Sequence, residues 1–361
     1  MFSKSLALIA LPALLLTGCS SANTPTAEPT KASTTACIVV DSRGLRDGGV
    51  NESAYYAIKE AVVSEGVDKY AKVLKSDIDS AEVYNQVNLM VRRGCDVIVG
   101  VGPKLRSATV RSARANPDIA YLLIDDMLPS ASEVAGSANL RHLTFESGQS
   151  AILAGYLAAA NSKTALVATF GSFPTPNILA SMQGFEQGVQ LYNSDTDSNV
   201  VVLGLISENS GWTFINSDTS RSRAKALTSK FMADGADVIY PVAGAASIGA
   251  GEAVAGLPDK WIIGADRDWG VDADFVAWRA NVLASTTKQV SRPVLAAIKA
   301  YIQSGTVGDP AANEFVGTLA NGGVDLTAEA ETPFAPAFNS ARGTLEAKIK
   351  SGEIATPKGK K

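Results

Sequence analysis

The chain alternates between short apolar runs and longer stretches with helical spacing. The runs Ile38–Val40, Ala71–Leu74, Val97–Val101 and Tyr121–Ile124 are separated by Ser53–Ser64, Ala81–Arg93 and Leu105–Ala115. Runs this uniformly apolar, each followed by a helix-period segment, predict parallel strands covered on both faces. The pattern then starts again. Ala165–Phe170, Val200–Ile206, Val238–Val242 and Trp261–Ile263 are separated by helical stretches that include Ile178–Tyr192 and Ala224–Ala233. Letters repeat as well: Gly94-Cys95-Asp96-Val97-Ile98-Val99-Gly100 parallels Gly235-Ala236-Asp237-Val238-Ile239-Tyr240, and the run ending Ile124-Asp125-Asp126 parallels Ala265-Asp266-Arg267-Asp268. The doubling predicts an α/β protein of two lobes with a cleft between them, each lobe a doubly wound parallel sheet flanked by helices. The first lobe is expected at residues 37–141 plus about 288–312, the second at 143–287 plus about 313–355. A helical stretch left over after the second half, Gln289–Gln303, motivates the return to the first lobe near Lys288.

The first residues do not fit this alternation. Lys4 precedes an apolar stretch, Leu6–Leu16, which ends in Leu16-Thr17-Gly18-Cys19. A charged start, a short apolar run and small residues describe an export signal over residues 1–18, too short to span a membrane. Cysteine directly after the small-residue site is the lipobox pattern of bacterial lipoproteins. It predicts cleavage before Cys19, lipid on its sulfur and a protein anchored to the cell membrane on its extracytoplasmic side. An ordinary signal peptide with an incidental cysteine is the alternative. Export disfavours chemistry that depends on cytoplasmic ATP or NADH. Residues 19–36 are rich in Ser, Thr, Ala and Pro and read as a flexible linker. A net charge of −4 and the lack of a basic block argue against a nucleic-acid partner. The cluster Lys358, Lys360, Lys361 reads as a solvated terminus.

Cys37 and Cys95 remain after Cys19. In an exported protein they predict a disulfide, because the first and third strands of a doubly wound sheet are neighbours. Two buried free thiols are the alternative. No metal site is expected, since His142 is the only histidine and ligand spacing is absent. No cofactor or catalytic centre is expected either: there is no nucleophile elbow, and Asp125 and Asp126, adjacent on a strand end, point to opposite sides.

In such sheets, ligands sit beyond the carboxyl ends of the strands. Asp41, Gly100–Gly102, Asp125 and Asp126 stand there in the first half; Phe170-Gly171, Tyr240 with Gly244, and Asp266 with Asp268 stand there in the second. Carboxylates accept paired hydrogen bonds from hydroxyl or amine donors, and glycines admit close approach to backbone. The set suits a neutral polyhydroxy or heterocyclic ligand. Asp and Gly at these positions also serve simply to cap helices and turn the chain.

The stretch Asp41-Ser42-Arg43-Gly44-Leu45-Arg46-Asp47-Gly48-Gly49-Val50-Asn51 lies in the register of a motif D-x-G-G-x-x-D-x-S-F-N. With Gly100-Val101-Gly102, Asn116-Pro117-Asp118, Leu153-Ala154-Gly155, Gly184-Phe185-Glu186-Gln187-Gly188 and Asn321-Gly322-Gly323-Val324, it resembles the basic membrane protein family of lipoproteins. These are substrate-binding components of ABC importers and include purine nucleoside binders. The resemblance implies a type I periplasmic-binding-protein fold, a nucleoside-like ligand and a membrane permease as partner. It implies that Asn51 reads the base edge beside Asp41 and Asp125, and that Tyr240 stacks on the base. Asp266 would take ribose hydroxyls and Lys288 would reach the same sugar. Val50 stands where the motif has the stacking phenylalanine, and Gly49 where it has serine. Either another ring replaces it (Tyr55, Phe173, Trp212 or Trp269) or the ligand is not a purine nucleoside. Trp269 follows Asp268 on an expected loop and is placed at the cleft. An extracytoplasmic sensor that signals to a membrane receptor is the other functional reading.

Overall fold

The computed structural model describes residues 33–75, 78–124, 137–207, 211–271, 273–307, 314–328 and 334–359. The leader with Cys19, and both Asp125 and Asp126, lie outside the described residues. The first half runs β1 (Thr35–Val40), α1 (Val50–Glu65), β2 (Asp68–Val73), α2 (Ser80–Arg92), β3 (Val97–Val101), α3 (Arg106–Ala115), β4 (Ala120–Ile124) and β5 (Leu140–Phe145). The second begins with α4 (Ser147–Asn161), β6 (Leu166–Gly171), α5 (Pro176–Thr196), β7 (Val201–Leu203), β8 (Leu205–Ser207) and β9 (Gly211–Trp212). It continues with α6 (Arg221–Ala233), β10 (Val238–Val242), α7 (Ile248–Val254), β11 (Trp261–Gly264) and β12 (Val282–Lys288). After these come α8 (Ser291–Ser304), β13 (Glu314–Gly317), β14 (Val324–Ala328) and α9 (Pro336–Ser351).

The strands form two six-stranded sheets ordered β13-β5-β4-β3-β1-β2 and β14-β12-β11-β10-β6-β7. The first is parallel throughout; in the second only β14 runs antiparallel, to β12. Side-chain alternation sorts each strand between two cores. Ala36, Ile38 and Val40 of β1 pack with α1, whereas Cys37 and Val39 pack on the other face with Val83 and Val87 of α2. Helices α4 and α5 meet closely because glycines stand at the contact. A Cβ on Gly155 would lie 1.9 Å from the Phe185 carbonyl oxygen, and one on Gly188 would lie 2.0 Å from that of Ile152.

Several boundaries differ from the sequence expectation. Residues 143–145 and 314–317, expected in the second lobe, pair in the first sheet as parts of β5 and β13. The chain therefore crosses after Phe145, again near Lys288, and a third time between β13 and β14. At these crossings the Glu146 amide donates to Gly317 O (2.8 Å) and the Gln289 amide to Gly323 O (2.9 Å), so the connecting segments are tied side by side. The linker expected to residue 36 ends earlier, because Thr35 and Ala36 are already in β1 and Ala36 is fully buried. The single run expected at Val200–Ile206 breaks at Gly204, whose φ of +100° sends β8 away to pair with β9. Lys358 is not a purely solvated terminus: it pairs with Glu146 at 2.5 Å, beside the first crossing.

Cys37 and Cys95 form a disulfide with a Cα–Cα distance of 5.9 Å, joining β1 to the turn before β3 inside the apolar layer under α2. Closing a loop of this length contributes about 4 kcal/mol on the chain-entropy account. Alkylation without reductant should therefore label neither cysteine. A Cys37→Ala/Cys95→Ala chain should unfold at lower denaturant, by up to about 4 kcal/mol in extrapolated stability. Two labelled thiols in the exported native protein would overturn the pairing.

Candidate functional site

A cavity of about 450 Å³ lies where the carboxyl ends of the two sheets converge. The first lobe supplies Asp41, Ser42 and Arg43 from the loop after β1, and Pro103 and Lys104 from the turn after β3. The second supplies Ser172, Phe173 and Thr175–Ile178 after β6, Ser181 from α5, Asp218 before α6, Val242 and Gly244 at the end of β10, Asp266 after β11, and Lys288 at the end of β12. Strand ends collect polar groups here because the central strands β3, β4 and β10 are buried along their whole length.

Four expected residues line this cavity: Asp41, Gly244, Asp266 and Lys288. Lys288 Nζ lies 3.1 Å from Asp266 Oδ1, and the Lys288 amide donates to the Asp266 carbonyl at 3.0 Å. Asp266 adopts a left-handed φ of 71°, a conformation that aspartate tolerates better than most residues but that still carries strain. The backbone hydrogen bond from β12 holds it there.

The other expected residues sit elsewhere. Asn51 is fully buried at the start of α1, and its Nδ2 donates to Asp41 Oδ1 (3.0 Å) and to Gly44 O (3.1 Å). It fixes the loop rather than facing the cavity. Tyr240 lies beneath the cavity, its ring stacked on Phe185 at 5.3 Å and its hydroxyl 2.9 Å from Thr286 Oγ1, so no face is open to a ligand. Trp269 is 2% exposed, packs on Phe275 at 4.7 Å and belongs to the second lobe's core. Its amide donates to the buried Ser285 hydroxyl, which turns the segment inward. Val50 is likewise core, 2% exposed. Of the four candidate replacement rings, Phe173 alone lines the cavity.

Arg43, Asp218 and Lys104 were missed. Arg43 grips Asp41 with a fork, Nε to both carboxylate oxygens at 3.0 Å and Nη2 to Oδ2 at 2.8 Å. Burial alone would raise the Asp41 pKa, but Arg43's charge and the hydrogen bonds from Arg43 and Asn51 outweigh it and hold it below the ordinary carboxylate value. Burial works against the charge of Arg43, yet Asp41, Asp47 and Asp218 together raise its pKa further. A signal for Arg43 was present, since it occupies the third place of the opening motif, where glycine is expected. Asp47 accepts from the amides of Gly49 (2.9 Å) and Glu52 (3.1 Å) at the start of α1, and burial pushes its pKa up despite Arg43.

Ion pairs among the described residues link the lobes. Arg43 Nε lies 3.7 Å from Asp218 Oδ2, and Arg267 Nη1 lies 2.9 Å from Glu52 Oε2, both side chains of the latter pair being largely buried. Among the described residues no group of histidine, cysteine or carboxylate side chains is placed to hold a metal, and no helix is long and apolar enough to cross a membrane.

The sequence profile described as "ABC transporter substrate-binding protein PnrA-like" (Bmp) matches residues 34–360. The chain belongs to this family. It is thus a substrate-binding protein of the ABC-transporter type, a family of binders and not a class of enzymes. Basic membrane protein D of Borreliella burgdorferi (strain JD1) is 27% identical over 330 residues, 91% of this chain and 88% of that protein. The "ABC transporter nucleoside-binding protein BmpA" of Lactococcus lactis subsp. cremoris (strain MG1363) is 26% identical, covering 86% of this chain and 87% of its own. Among solved structures, an ABC transporter solute-binding protein from Aeropyrum pernix K1 superposes with a TM-score of 0.70 at 22% identity, over 90% of this chain and 94% of that one. A periplasmic solute-binding protein from Actinobacillus succinogenes 130z with bound D-allose gives 0.58 at 14% identity, over 82% and 98%. These likenesses establish the type I periplasmic-binding-protein fold.

Tyr240 yields a test of the cavity floor. Burial pushes its phenol up to about 12, partly offset by the hydrogen bond with Thr286 and reinforced by the charge of Asp266. The folded value is raised, so the stability this implies is full below pH 10 and drains away between about pH 10 and 12. Tyr240→Phe should remove one phenol from those ionising near pH 12 in an absorbance titration. It should cost about 0.5–1.5 kcal/mol in stability through the lost hydrogen bond. An unchanged titration would show that the hydroxyl is not held under the cavity.

Proposed function

We propose that this chain is the lipid-anchored, extracytoplasmic substrate-binding component of an ABC importer, and that its lobes close on a nucleoside or similar polar heterocycle for delivery to a membrane permease. The observation that carries this reading is the cavity between the lobes, bounded by charged and hydrogen-bonding side chains from both and large enough for a small organic ligand. The nucleoside-binding name of the Lactococcus lactis relative supports the ligand class. Export and anchoring rest on the lipobox and Cys19.

On this reading Asp266 accepts from ribose hydroxyls, Lys288 orients Asp266 and donates to the same sugar, and Phe173 packs on the base. Asp125, the next residue in sequence after Ile124, is a proposed base-edge contact. Asn51 contributes through Asp41, Tyr240 from beneath the floor, and Gly244 by leaving room at the second-lobe wall. Enclosure by two lobes that hinge at the three crossings supplies the affinity.

Titration calorimetry against nucleosides, bases and sugars tests the proposal directly. A nucleoside should bind well below millimolar concentration. Asp266→Asn should weaken binding by about 1–3 kcal/mol, roughly ten- to a hundredfold, because buried ligand hydroxyls lose a charged acceptor. If an unrelated solute class binds and no nucleoside or base does, the ligand assignment is wrong.

A further inference from the structure

Arg43 and Asp41 line the cavity side by side, and their side chains are joined. Asp41 Oδ1 receives the Arg43 amide (3.1 Å), Arg43 Nε (3.0 Å) and Asn51 Nδ2 (3.0 Å); Oδ2 receives Arg43 Nε (3.0 Å) and Nη2 (2.8 Å). A carboxylate offers about four lone-pair sites. These contacts fill them, so an N–H on a ligand finds no acceptor at Asp41. The guanidinium is not used up in return. Among the described residues Nη1 has no hydrogen-bond partner; the Asp47 carboxylate is 3.6 Å away. Nη1 also lies 3.7 Å from the position a Cβ on Gly244 would take, which places this donor against the second-lobe wall of the same cavity.

We infer that Arg43 sets the specificity of the cavity: by saturating Asp41 and presenting its own N–H groups, it makes the first-lobe wall select heterocycles that offer a carbonyl oxygen over those that offer an exocyclic amine. The inference rests on the proposed nucleoside reading. Its physics is simple. An amine turned toward Arg43 sets donor against donor in a partly desolvated site and leaves both unpaired, whereas a carbonyl accepts a charge-assisted hydrogen bond. The low pKa of Asp41 agrees with this, since the carboxylate stays ionised and bound to Arg43 across the neutral range.

Matched pairs of probes separate the effects. Inosine and adenosine differ by carbonyl for amine at C6, with N1 changing from donor to acceptor; uridine and cytidine differ in the same way at C4 and N3. Calorimetry on the full mature chain should give each oxo member at least about tenfold tighter binding than its amino partner. Arg43→Ala frees the oxygens of Asp41 and should erase or reverse both ratios, mainly by strengthening adenosine and cytidine. Arg43→Lys keeps a cation beside Asp41 and Asp47 but lacks the planar fork, and should fall between. Thermal melts of both variants monitor folding. If Arg43→Ala does not fold, the wild-type ratios and Arg43→Lys decide. Wild-type ratios near one, or ratios unchanged in the variants, overturn the role of Arg43 while leaving nucleoside binding intact. Failure of all four probes to bind a protein that takes up another solute overturns the nucleoside reading, and this inference with it.

Discussion

The central strands of both sheets are buried on both faces, and that constraint decides where chemistry can sit. A strand such as β3 or β10, with every residue buried, has no room for an unpaired polar side chain except past its end. The chain therefore releases its polar groups in the turns at the carboxyl ends, and two sheets with the same winding bring two sets of such turns together. Asp41 and Lys104 enter the cavity from one set, Asp218, Asp266 and Lys288 from the other. The fold makes the site by excluding it from everywhere else.

Charge at the meeting place has to be balanced, since an isolated carboxylate in a closed cleft is costly. The structure answers with pairs: Asp41 with Arg43, Asp266 with Lys288, Glu52 with Arg267. The first two pairings each take a carboxylate that looks, in sequence, like an acceptor waiting for a ligand and give it a partner within the chain. The difference between Asp41 and Asp266 follows. Asp41 is gripped through both oxygens by a bidentate fork, whereas Asp266 meets Lys288 through one oxygen, at 3.1 Å, and keeps its other oxygen for further contacts. Two aspartates that both follow strand ends thus carry different chemistry.

The alternation of apolar runs and helical stretches was enough to read the two halves, the neighbourhood of β1 and β3 and the disulfide between their starts. What it could not show were elements whose burial is not written in apolar residues. β12 reads Val282-Leu283-Ala284-Ser285-Thr286-Thr287-Lys288, and its hydroxyl residues are nearly all inside. Ser285 accepts from the Trp269 amide and Thr286 donates to Gly264 O, so small polar side chains fill interior positions by hydrogen bonding across the sheet. The same contacts turn Trp269 away from the cleft. β5 and β13 escaped notice because they flank the crossings, where sheet membership is a matter of pairing and not of pattern. At the site, the glycine and carboxylate positions after strands were legible from topology. Arg43 was marked only by its place where the opening motif has glycine; its grip on a carboxylate two residues earlier is a matter of distance, which periodicity does not encode.

The interlobe pair of Arg267 and Glu52 bears on how the two halves are set against each other. Both side chains are largely buried and the guanidinium also lies over the Phe275 ring, 4.6 Å from its centre. Glu52 Oε2 accepts from the Gly48 amide as well, so the carboxylate is tied to the loop that carries Asp41 and Arg43. Were the lobes apart, both charges would be hydrated, and bringing them together exchanges that hydration for Coulombic attraction and hydrogen bonds. Such an exchange roughly breaks even. The pair therefore adds little net drive toward this arrangement, but it penalises any other in which one charge is buried alone. Its contribution is register. It aligns the Asp41–Arg43 loop with Asp218, Gly244 and Asp266, and leaves the energy that favours closure to whatever fills the cavity, because a ligand shifts such an equilibrium only by its differential contacts with the two states.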